Sequence, residues 1–66
     1  MIVNGTSFEL AELPQRTILA LLNHYELSVD HVAIELNGNI LNKEEKETMK
    51  ISENDKIEIM QFAGGG

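Results

Sequence analysis

Lys56-Ile57-Glu58-Ile59-Met60-Gln61-Phe62, running into Ala63-Gly64-Gly65-Gly66, is the stretch from which both the fold and the working part can be read. Side chains alternate between the two faces of a strand, so Ile57 and Ile59 share one face while Lys56, Glu58, Met60 and Phe62 share the other. The isoleucine face calls for a covering layer. The opposite face carries charges and then two large apolar residues immediately before the glycines. With a helix on one side only, Met60 and Phe62 are open to solvent. Methionine and aromatic residues are enriched at interface cores, so Met60 and Phe62, with Ala63, are the expected partner-binding residues. The competing reading is that Phe62 folds back and caps the core at the sheet edge.

The covering layer lies upstream. Ile18, Leu21, Leu22 and Tyr25 stand at i, i+3, i+4 and i+7, with Asn23 and Glu26 off that line, which predicts a helix near 17–26 with this stripe in the core. Thr17 is a good N-cap, and Pro14 ends any preceding strand. Before the helix, Asn4-Gly5 separates two β-prone runs. Asn-Gly suits a type I′ turn, which needs positive φ at both central residues, so strands are expected near 1–4 and 7–11. After the helix, Val32-Ala33-Ile34-Glu35-Leu36 alternates with period two. Asn37-Gly38 is a second turn signal, with Ile40-Leu41 as a short return. Residues 42–48 are rich in charge and long enough for one helical turn. Met49 and Ile51 can anchor that loop to the core.

The element order is thus β-β-α-β-β-turn-β. A helix lying on one face of a mixed sheet of four to five strands is a two-layer α+β arrangement. A β-grasp layout fits it, with the first and last strands parallel in the middle. The domain is expected to span 1–62, followed by a flexible glycine tail at 63–66.

At 66 residues the chain holds one domain. Such a size supports a stability of roughly 3–5 kcal/mol. It contains no cysteine, which excludes a disulfide framework and a cysteine-based zinc site. No apolar run approaches the roughly 18 residues of a membrane span, and no signal peptide is visible. A soluble, cytoplasmic protein is expected. The formal net charge of −6 disfavours nucleic acid and favours a basic partner surface. His24 and His31 do not share a helical face as a metal pair would, and they are expected at the surface. No phosphate-loop or serine-triad pattern occurs. The chain therefore reads as a non-enzyme, with no catalytic or metal-ligating residue and no cofactor of its own.

Glycine has no Cβ, so Gly64 and Gly65 make a thin tail that can thread a narrow cleft. The reactive group is the α-carboxylate of Gly66, ionised at neutral pH with a reference pKa of about 3.5. A carboxylate is a poor electrophile. It can attack the α-phosphate of ATP, and a sulfur nucleophile can then displace AMP to leave a thiocarboxylate. Plain terminal disorder, an added linker and a fragment of a phosphate-binding loop compete with this reading. The last has no following helix to supply amide donors.

Taken in order, Val3-Asn4-Gly5, Thr17-Ile18-Leu19-Ala20-Leu21-Leu22, Val32 to Gly38 and Asp55 to Gly66 resemble the ThiS family of sulfur carriers in thiamine biosynthesis. More loosely they resemble the molybdopterin-synthase small subunit and ubiquitin. The resemblance covers essentially the whole chain and implies a β-grasp fold. It further implies that a ThiF-like adenylyltransferase activates Gly66 with ATP and magnesium. Sulfur would come from cysteine through a cysteine desulfurase persulfide, and a ThiG-like thiazole synthase would receive it. Gly65 and Gly66 match the family's terminal pair, and Gly64 extends it to three. Met60 and Phe62 match apolar positions near the family's partner surface. The same tail chemistry is shared by carriers for molybdopterin or tRNA thiolation and by ubiquitin-like protein modifiers. An inert interaction module is a further reading.

Overall fold

Both Asn-Gly pairs turn as their chemistry requires in a computed structural model that describes residues 1–62. Asn4 and Gly5 have φ of 50° and 80°, and Asn37 and Gly38 have φ of 51° and 89°. These left-handed values suit Asn and Gly, which tolerate positive φ. The first turn joins β1 (Ile2–Val3) to β2 (Thr6–Ser7). The second joins β3 (Val32–Leu36) to β4 (Asn39–Ile40). The last strand, β5, runs Lys56–Gln61. The sheet order is β2-β1-β5-β3-β4. β1 and β5 are parallel and central, and the outer pairings are antiparallel. This is the β-grasp arrangement expected from the sequence.

Helix α1 (Ile18–His24) starts where Thr17 Oγ1 accepts the Ala20 N–H at 3.1 Å. Its Ile18, Leu21 and Leu22 are buried against Val3, Val32, Ile34, Ile57 and Ile59. Ile51 completes the core and Met49 packs on it, as expected of that loop. The Ile51 N–H donates to Arg16 O, and the Ile18 N–H to Met49 O, so this segment pairs with the entry to α1.

Three expectations need correction. Tyr25 is 43% exposed rather than core. The helix ends at His24, so Tyr25 is its C-cap and leaves the buried stripe. It joins Phe8 and His24 in a ring cluster instead, with centroids 5.1–6.0 Å apart. The second strand does not run 7–11. After Ser7 the chain forms a 3-10 turn over Leu10–Glu12, which buries Leu10 and then Leu13 under the sheet end. Residues 43–48 form a six-residue helix, α2 (Lys43–Thr48), rather than a single turn. A capping box starts it, in which Asn42 Oδ1 accepts the Glu45 N–H and Glu45 Oε1 accepts the Asn42 N–H. Lys46 Nζ pins the helix by donating to Val29 O at 3.0 Å and Val32 O at 2.9 Å. The expected tail at 63–66, with Ala63, Gly64, Gly65 and Gly66, lies outside the described residues.

Candidate functional site

The face of β5 opposite the core is built by register. Met60 lies beside Ala33, and Glu58 beside Glu35, on β3. Glu35 in turn lies beside Ile40 on β4, and Lys56 beside Ile2 on β1. Among the described residues no helix covers this side. Met60 is 46% and Phe62 57% exposed, while Ile57 and Ile59 on the other face are buried. The alternation read from the sequence is therefore the one observed. Phe62 does not fold back to cap the core: its N–H donates to His31 O at 3.0 Å, which continues the β3–β5 ladder. This bond holds the last described residue in strand register.

The face is apolar at the Met60–Phe62 end and charged toward the other end. Glu35 and Glu58 oppose each other directly, a like-charge pair that costs a sheet some stability. Ile40, 70% exposed beside Glu35, and Ile2, 38% exposed beside Lys56, flank the charged end on the outer strands, and the sequence reading did not single them out. A two-residue turn at Asn37-Gly38 pairs Glu35 with Ile40, so that parity was available. Ile2 reaches the face only through the long-range β1–β5 pairing.

Two asparagines stiffen β5. Beyond Val3 the β1 strand turns away, and the Asn4 carboxamide takes its place. Asn4 Oδ1 accepts the Ile59 N–H at 2.6 Å, and Asn4 Nδ2 donates to Ile59 O at 3.2 Å. At the strand start, Asn37 Oδ1 accepts the Lys56 N–H, while Asn37 Nδ2 donates to Asp55 Oδ1 at 2.9 Å. Burial pushes the Asp55 carboxyl pKa up. The bonds from Asn37 and from the Ser52 N–H outweigh that and hold it below its ordinary value.

His24 and His31 are exposed. Among the described residues no group of histidines and carboxylates is placed to hold a metal, and no helix is long and apolar enough to cross a membrane. The face exposes Met60 on β5 and Phe62 one residue beyond the strand's end.

Known proteins place the chain. The ThiS family model matches residues 1–66. An uncharacterized protein ycf40 of Porphyra purpurea is 31% identical over 64 residues, covering 97% of this chain and 87% of that one. A ycf40 protein of Trieres chinensis is 44% identical over 46 residues, 70% of this chain and 63% of that protein. The sulfur carrier protein ThiS of Bacillus subtilis (strain 168) is 40% identical over 50 residues, 76% of each chain. The crystal structure of the thiamine biosynthesis protein (ThiS) from Geobacter metallireducens superposes with a TM-score of 0.76 at 27% identity, covering 98% of this chain and 96% of that one. With a family match along its whole length and a β-grasp sheet to go with it, this chain belongs to the ThiS family.

Proposed function

We propose that this chain is a cytosolic sulfur carrier for thiazole formation in thiamine biosynthesis. It is the protein substrate of a partner adenylyltransferase rather than an enzyme. The Gly66 α-carboxylate attacks the α-phosphate of ATP in a ThiF-like partner, and pyrophosphate leaves. A persulfide, fed by a cysteine desulfurase relay, expels AMP to form an acyl disulfide; a thiol then attacks its outer sulfur, which leaves the thiocarboxylate on Gly66 and carries the oxidation away as a disulfide. A ThiG-like thiazole synthase takes up that sulfur. ATP and magnesium belong to the partner's site. Gly64 and Gly65 add no side-chain bulk, which keeps the carboxylate deliverable through a narrow channel. The observation that carries the reading is the open Met60–Phe62 pair on the uncovered face of β5, adjoining Gly64-Gly65-Gly66.

The test is intact mass after incubation with a ThiF-like enzyme, ATP and a sulfur source. A gain equal to exchanging one oxygen for sulfur supports the carrier. Conjugates of higher mass support a protein modifier instead. No change with a competent partner sinks both. Deleting Gly66, or adding a residue after it, abolishes activation and leaves the fold intact. Activation that survives either change removes the carboxylate from its role.

A further inference from the structure

Alternate residues of β5 turn their main-chain groups to opposite neighbours. The even-numbered ones face β3, as the bonds of Lys56 to Asn37 and of Phe62 to His31 show. The odd-numbered ones face β1: the Ile2 N–H donates to Asp55 O and the Asn4 N–H to Ile57 O. Ile59 faces the same way, and the Asn4 carboxamide occupies both its groups. Gln61 is next along this edge. By then β1 has turned away at Asn4-Gly5, and among the described residues nothing bonds the Gln61 main chain on that side.

This short open edge borders a groove lined by Val3, Thr6, Tyr25, Leu27 and Ile59. Tyr25, the C-cap of α1, forms part of its wall. Val3 and Ile59 are nearly buried, and Tyr25 stands open beside them.

We propose that this notch is a strand-addition site, in which an extended segment of the adenylating partner pairs with the main chain of Gln61. The proposal rests on the carrier reading above. An N–H and a C=O on an extended edge are complementary to another extended main chain, and an adjoining apolar groove takes one of its alternate side chains. Gln61 lies between Met60 and Phe62, so the pairing continues the docking face. The net charge of −6 favours a basic segment. Pairing there clamps the strand two positions before Ala63.

Gln61→Pro removes the N–H from the open edge and breaks no bond made among the described residues. Proline is tolerated at strand edges and keeps Met60 extended. Gln61→Ala is the matched variant that keeps the N–H. Two measurements decide: affinity for the ThiF-like enzyme by calorimetry, and exchange of the Gln61 amide in wild-type protein, free and bound. The Pro variant is expected to bind about tenfold weaker than the Ala variant, the effect of about one lost hydrogen bond. The Gln61 amide is expected to exchange at least about tenfold more slowly in the complex. Equal affinities, or an amide that exchanges at its free rate, overturn the pairing. If the Pro variant fails to fold, the wild-type exchange decides alone. Sulfur uptake with an unprotected amide removes the pairing and keeps the carrier. A protected amide without sulfur uptake does the reverse.

Discussion

Replacing Asn4 tests how β5 is held where β1 gives out. Asn4 makes two bonds to Ile59, at 2.6 and 3.2 Å, while sitting at a φ of 50°. Asn4→Gly removes both bonds and accepts the backbone angle. At about 0.5–1.5 kcal/mol for each bond, the loss is about 1–3 kcal/mol. Asn4→Ala removes the same bonds and adds a left-handed backbone cost of about 1–2 kcal/mol. Its total is about 2–5 kcal/mol, against a stability of roughly 3–5 kcal/mol for a domain of this size. Urea titration followed by circular dichroism measures both, with an unchanged slope as the sign that only stability moved. The Gly variant should unfold at a clearly lower midpoint, and the Ala variant lower still. A loss below about 0.5 kcal/mol for Gly refutes the role of the carboxamide. Equal losses for the two variants refute the backbone term.

Phe62→Asp should weaken binding to the adenylating partner about tenfold or more and barely move the thermal midpoint, because the ring is 57% exposed. A large fall in melting temperature would make Phe62 a core residue after all. Lys46→Met should cost about 1–3 kcal/mol in urea titration, since its ammonium satisfies two carbonyls, Val29 O and Val32 O. A neutral result would mean water replaces the ammonium freely. Asp55 has a lowered pKa, so its unfolded form binds a proton at a higher pH than its folded form does. Its contribution is complete above its ordinary pKa and is lost as pH falls through the lowered folded value. Urea midpoints measured below about pH 5 should therefore fall more steeply for wild type than for Asp55→Asn. Parallel curves would contradict the Asn37–Asp55–Ser52 linkage.

Some of this architecture is legible because its cause is local. The two Asn-Gly turns follow from φ preferences, the Thr17 cap from a side-chain oxygen, and the two faces of β5 from strand alternation. The open placement of Met60 and Phe62 follows from the same parity once one side is covered. Other features were present locally but outweighed in the reading. The Asn42–Glu45 capping box signals α2, although the charge run around it reads as loop. Tyr25 fits the helical stripe by spacing, yet the helix unwinds one residue short of it.

What the sequence by itself determined is a set of elements, their faces and a glycine tail next to an apolar pair. Those properties depend on residues a few positions apart. The tertiary structure decided the parallel seating of β1 on β5, the arrival of Ile2 on the uncovered face, and the substitution of Asn4 for a missing strand rung. Each of these is a contact between segments distant in the chain. Which segments meet is set by the joint burial of Val3, Ile34, Ile57 and the α1 stripe in one core, and periodicity within any one segment carries no record of that choice.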